Sequence, residues 1–211
     1  MGNAILTRIF PANPEMRKIQ HAVEVLRSGG VVIYPTDTVY GMGCDLYNAK
    51  AFDLLCKIKG VKPGKDLFSL IFYDISQVSE YVKPITTQVY RVMKKGLPGP
   101  FTFILQFSNK IPRSFETKRK TVGVRIPDNL IPRLIARELG NPIVTSSIRD
   151  EDSILEYSTD PSLIHEKYEN TVDMVIDGGY GHNVASTIVD CTGDEFSVLR
   201  SGLGDFESLL R

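Results

Sequence analysis

Short β-branched runs alternate with amphipathic segments through most of this 211-residue chain. That alternation limits the available folds more than any other feature, because strands separated by helices pack as a sheet with helical layers. Residues 31–34, Val-Val-Ile-Tyr closed by Pro35, are apolar throughout and read as a buried strand. Before them, Asn13 caps a helix with Pro14 at its first position. Ile19, Ala22, Val23 and Leu26 share one face, and Gly29-Gly30 ends it. Residues 36–45 read as a loop. A second helix then starts at the Asn48 cap, buries Phe52, Leu55 and Cys56, and stops at Gly60.

The same signals continue downstream. Strands are expected at 67–72, 101–107, 121–125, 142–145, 172–176, 186–189 and 197–200. Helices are expected at 87–95 with Gly96 as the stop, at 130–139 capped from Asp128 or Asn129 and stopped by Gly140, and after Asp160-Pro161. A short helix is expected within 204–210. The fold class is therefore α/β, a twisted mixed sheet in a single domain over residues 1–211, with no internal repeat or low-complexity linker.

Composition excludes several classes. No run approaches the roughly 18 apolar residues of a membrane-spanning helix, and the first residues lack a basic-then-apolar leader. Cys44, Cys56 and Cys191 are scattered, with no Cys or His at zinc-ligand spacing, so reduced thiols in a cytoplasmic protein are expected. The 25 basic and 25 acidic residues cancel, but unevenly. Lys57, Lys59, Lys62 and Lys65 form one basic run. Lys110, Arg113, Lys118, Arg119 and Lys120 form another, against an acidic stretch from Asp150 to Asp177. Such asymmetry suits a basic surface facing a polyanion, although charge runs are more often merely solvated faces.

The densest polar signal is Pro35-Thr36-Asp37-Thr38-Val39-Tyr40-Gly41, directly after the 31–34 strand. Ligands in α/β sheets bind beyond strand ends, where loops present side chains and unpaired backbone groups. A turn satisfying its own backbone explains the same residues. Gly41-Met42-Gly43 lacks the third glycine of a dinucleotide fingerprint. Two further strand boundaries carry hydroxyls, Thr145-Ser146-Ser147 and Ser186-Thr187.

The segment GGVVIYPTDTVYGMGCD resembles the opening signature of the YrdC/YciO family. PGPFTFIL, TVGVRIPDN, NPIVTSS, VDMVIDGGY, ASTIVD and VLRSG resemble its later blocks in order, over residues 9 to 206, nearest to the YciO branch. The resemblance implies a YrdC-like domain with a concave basic surface that holds nucleotide and double-stranded RNA. In the synthases of the family, threonine, bicarbonate and ATP give threonylcarbamoyl-AMP for tRNA modification, with Mg²⁺ arriving on the ATP. By position, Thr36, Arg125 and Ser186 would contact threonine, and Lys59, Ser146 and Arg200 the nucleotide. Lys118, Arg119 and Lys120 would contact RNA. No membrane and no DNA-specific partner is implied.

Two departures fall in the expected nucleotide region. The synthase pattern reads Lys-x-Arg then Pro, whereas Lys59-Gly60 is followed here by Val61 and then Lys62-Pro63. It also reads Ser-x-Asn, where Ser146-Ser147 is followed by Ile148. Lys62 is the candidate replacement for the arginine, although an ammonium is no bidentate fork. Three readings stay open: a synthase of weakened or altered activity, a non-catalytic RNA- or ribosome-binding module, and a binder of a carbamoylated or adenylylated metabolite.

Overall fold

The computed structural model describes residues 3–62, 68–115, 120–148 and 158–211. Within them one mixed sheet of ten strands is flanked by seven helices. In chain order these are β1 (Ile5–Arg8), α1 (Met16–Arg27), β2 (Val32–Tyr34), β3 (Gly41–Asp45), α2 (Ala49–Ile58) and β4 (Ser69–Ile71). Then come α3 (Ile75–Tyr81), α4 (Thr87–Gly96), β5 (Phe101–Gln106), β6 (Thr121–Arg125), α5 (Leu130–Leu139) and β7 (Ile143–Ser147). The last are α6 (Pro161–Tyr168), β8 (Met174–Asp177), β9 (Thr187–Asp190), β10 (Ser197–Arg200) and α7 (Glu207–Leu210). The strand order is β1-β8-β2-β3-β7-β4-β6-β5-β9-β10. The β1/β8, β2/β8, β4/β6 and β5/β9 pairs are parallel and the other five antiparallel.

Helix boundaries follow local chemistry where a side chain is free to cap. The amide of Ala51 donates to Asn48 Oδ1 at 3.0 Å, that of Ile131 to Asn129 Oδ1 at 3.0 Å, and that of Ser162 to Asp160 Oδ1 at 2.8 Å. Gly140 ends α5 at φ +84°, a conformation glycine enters without steric cost. The expected Asn13 cap is not used. Asn13 is held in a turn, its amide donating to the Phe10 carbonyl, and α1 begins at Met16 from a Glu15 cap that makes no side-chain bond. Gly96 does not stop α4 but closes it from within; a Cβ there would meet Leu209 Cδ1 at 3.0 Å.

The largest correction is in residues 36–45, expected as loop throughout. Gly41–Asp45 is the strand β3, antiparallel to both β2 and β7. Glycine's weak strand preference hides it. The glycines are required by close approach: a Cβ on Gly43 would stand 2.4 Å from the Val144 carbonyl oxygen and 2.5 Å from the Tyr34 hydroxyl. Two elements had no visible signal. β1 is largely exposed and shows no apolar alternation, and α3 is seven residues, started by Asp74 accepting from the Gln77 amide. The 67–72 strand is seen as β4; Leu67 itself lies outside the described residues.

Alternation along each strand divides the apolar residues into two layers. On one face, Ile33, Met42, Cys44, Leu70, Val124, Phe103 and Val144 pack with α2, α3, α4 and α6. On the other, Val32, Tyr34, Ile71, Ile143, Met174 and Ile176 pack with α1 and α5. Each fully buried apolar side chain in these layers contributes about 1.5–3 kcal/mol against the chain entropy. Among the described residues, the α1/α5 layer takes no side chain from β5, β6 or β9. That uncovered half of the sheet becomes the site.

Candidate functional site

Alternation dictates what the uncovered face carries. With Val122 and Val124 turned to the main core, Gly123 and Arg125 of β6 turn to the other face, as do Thr102 beside Phe101 and Phe103 in β5. Ser69 sits opposite both Gly123 and Thr145 in register, and Gly43 opposite Thr145. Glycine, serine and threonine therefore pave the sheet where large side chains would fill it. A cavity of about 470 Å³ remains above, floored by Gly41, Thr145, Ser69, Thr102 and Arg125. Ile58, Lys59 and Val61 at the end of α2 and Tyr168 at the end of α6 complete its walls.

Five of the six expected ligand residues, Lys59, Arg125, Ser146, Ser186 and Arg200, line this one cavity. They come from α2, β6, β7 and the two ends of the β9/β10 hairpin. Lys59 Nζ donates to the Ser147 carbonyl at 2.8 Å, anchoring the end of α2 over β7. Ser186, the expected first residue of the strand, lies just before β9, which starts one residue later at Thr187. Its hydroxyl is 2.9 Å from Thr102 Oγ1, and its carbonyl accepts from Arg200 Nε at 3.1 Å and Nη2 at 2.8 Å.

Arg125 is the electrostatic centre. Its Nη2 donates to Asp37 Oδ1 and to Thr38 Oγ1, each at 3.0 Å, and the side chains of Arg125 and Asp37 are only 10% and 9% exposed. Burial lowers the arginine's pKa, the Asp37 carboxylate opposes that, and the neighbouring Arg200 charge adds to the lowering. The Arg125 and Arg200 charges thus oppose one another, and the Asp37 carboxylate offsets that at Arg125.

Thr36 does not line the cavity. Its hydroxyl accepts from the Thr38 amide at 3.0 Å, lies 3.2 Å from Thr38 Oγ1, and donates to the Val39 carbonyl at 2.7 Å. The turn satisfies its own backbone, as the alternative reading of this loop had it, and Thr36 reaches Arg125 only through Thr38. The two departures also separate. Val61 lines the cavity, whereas Ile148 is fully buried in the main core and does not. Lys62 is exposed and is not among the described residues of the lining. Of the expected RNA contacts, Lys118 and Arg119 lie outside the described residues. Lys120 is exposed at the end of β6 away from Arg125.

Sequence reasoning missed Ser69 and Thr102. The available signal was a lone threonine amid the aromatic and aliphatic residues of 101–105. Burial pushes the Cys191 thiol up to about 12 and raises Cys44 as well, so neither is a thiolate nucleophile near neutral pH. Among the described residues no group of three His, Cys, Asp or Glu side chains is placed to hold a metal, and no helix is long and apolar enough to cross a membrane.

The floor yields a direct prediction. A Cβ on Gly123 would sit 2.5 Å from Ser69 Oγ and 2.9 Å from Thr102 Cγ2. Gly123→Ala should cost about 1–3 kcal/mol of stability by overpacking. It should also weaken ligand binding by displacing the Ser69 hydroxyl and the Thr102 side chain, checked by thermal melting and calorimetry on one sample.

Fold and cavity define a mixed-sheet α/β protein with one half-face opened into a polar cleft. The Sua5/YciO/YrdC family model, described as "Telomere recombination", matches residues 24–202, and the chain belongs to that family. YciO of Escherichia coli (strain K12) is 37% identical over 96% of this chain and 97% of its own length. The crystal structure of E. coli YciO superposes with a TM-score of 0.90, covering 98% of this chain and 99% of that one. A threonylcarbamoyl-AMP synthase of Coxiella burnetii (strain RSA 493 / Nine Mile phase I) is 30% identical over 78% of this chain and 87% of its own length. The crystal structure of P. abyssi Sua5 complexed with L-threonine is 27% identical with a TM-score of 0.84. The match covers 94% of this chain and 58% of that one.

Proposed function

We propose that the cavity binds L-threonine and a nucleotide side by side, and that the protein is a threonylcarbamoyl-AMP synthase of weakened turnover. The convergence of Lys59, Arg125, Ser146, Ser186 and Arg200 on one cavity carries this reading. The 30% identity to a curated synthase and the likeness to a threonine complex support it. Arg125 and Ser186 take the amino acid; Lys59, Ser146 and Arg200 take phosphate oxygens. Arg200 and Ser186 are hydrogen-bonded to each other, so the two subsites abut and a carbamate oxygen can be aligned with the α-phosphorus. The described residues that line the cavity include no carboxylate, which supports Mg²⁺ arriving with the triphosphate rather than in a protein cage.

The weakening is argued from Val61, which presents methyl groups where the synthase pattern presents a guanidinium. One missing donor at developing charge costs on the order of 10²-fold in turnover. Calorimetry is expected to give threonine binding and weak ATP–Mg²⁺ binding. Pyrophosphate release from ATP, dependent on threonine and bicarbonate, should be slow and should rise on Val61→Arg, chiefly in kcat. Failure of threonine to bind would sink the reading. The second reading, a non-catalytic module on duplex RNA or tRNA, draws on the exposed Lys120 beyond the cleft. Salt-dependent duplex binding without any pyrophosphate release would favour it.

A further inference from the structure

We propose that Asp37 determines which anions Arg125 accepts: it makes Arg125 a seat for a ligand with one carboxylate and a neighbouring positive or N–H donor, and it turns dianions away from that seat. This rests on the amino-acid reading above and adds to it the residue that sets specificity.

Both hydrogens on Arg125 Nη2 are taken, one by Asp37 Oδ1 and one by Thr38 Oγ1. Arg125 Nε is buried without a hydrogen-bond partner. The side-on fork of Nε and Nη2, which would grip a carboxylate through two parallel bonds, is thus closed to an incoming ligand. Only Nη1 is left to meet it, and a single nitrogen suits a single anionic oxygen.

The carboxylate behind the arginine has its own unspent capacity. Asp37 Oδ2 is buried and has no hydrogen-bond partner, on a side chain only 9% exposed. A buried acceptor in that condition attracts a donor and repels a second negative charge, strongly so at low effective dielectric. An α-amino acid carries the complementary pair, a carboxylate for Nη1 and an ammonium for the field of Asp37. A dicarboxylate or phosphate dianion places its extra charge against that field. Arg200, also in the lining, adds a positive charge that attracts any anion.

The test is calorimetric titration of the full chain with L-threonine, L-malate and inorganic phosphate, with thermal melts to confirm folding. The wild type should prefer threonine to malate. Asp37→Asn keeps an acceptor for Nη2 while removing the charge. It should weaken threonine and strengthen malate and phosphate, each by about tenfold, inverting the order. Thr38→Val removes the uncharged partner of the same nitrogen and should shift both ligands together, leaving their ratio as it was. An unchanged threonine-to-malate ratio in Asp37→Asn overturns the proposal. A wild type that binds malate and no amino acid overturns both the amino-acid reading and the stated preference. Tighter malate binding in Asp37→Asn would then keep only the repulsive role of Asp37. Phosphate bound alike by wild type and Asp37→Asn sits at Lys59 and Arg200 and overturns the claim on phosphate. A wild type that binds none of the three overturns both.

Discussion

Arg125→Met should abolish carboxylate binding in the cavity and lower the free energy of unfolding by about 3–5 kcal/mol. Both effects come from one ion pair. Arg125 and Asp37 are about nine-tenths buried and held at 3.0 Å, so removing the guanidinium strands a carboxylate in a place water does not reach. Methionine fills much of the arginine stem's volume, which limits the cavity contribution and isolates the electrostatic one. Removing both charges, Arg125→Met with Asp37→Leu, should recover most of the stability, because neither ion is then left unpaired. Binding should not return. Denaturant titration of the two variants gives the comparison. Equal losses in the single and double variants would mean that packing of the arginine stem, rather than its charge, holds this part of the sheet.

Ile148→Asn should unfold the protein far more readily without improving nucleotide binding. The substitution matches the synthase pattern in sequence, but the side chain is fully buried in the core layer with α2, α3, α4 and α6. An amide there loses apolar contacts and leaves a donor and an acceptor unsatisfied, a cost of about 3–5 kcal/mol. For a chain of this size that lowers Tm by roughly 10 °C. Val61→Arg, in contrast, places its new group against the cavity and should be tolerated. The check is melting temperature beside ATP titration for each variant. An Ile148→Asn protein that melts like its parent and binds ATP more tightly would mean that the amide reaches the cavity.

The sequence was readable wherever one local cause was sufficient. Asn48, Asn129 and Asp160 cap the helices they appear to cap, and Ser197–Arg200 is a strand with its expected bounds. It was unreadable where the cause was a distant neighbour. Gly41–Asp45 is a strand because Tyr34 and Val144 leave no room for side chains at its glycines, and residues 34 and 144 are not local to one another. The site shows the same division. Residue types marked Lys59, Arg125, Ser146, Ser186 and Arg200 through a family pattern, and all five meet. Strand register alone, visible only in the assembled sheet, selects Ser69 and Thr102 for the floor. Only the assembled fold likewise puts Ile148, just past β7, in the core and Val61, just past α2, at the cavity.

The sheet order has a consequence for how the chain is made. β1 holds residues 5–8, yet among the described residues its partner strand is β8, residues 174–177, and β8 also pairs with β2. On a ribosome, β1 waits for a partner made about 170 residues later. At about 5–20 residues per second, roughly ten to thirty seconds separate the two. Through that interval β1 presents unpaired backbone, with exposed Ile5 and Leu6, to whatever else is nearby. The charged Arg8 at its end and its length of only four residues limit what it can pair with in the meantime.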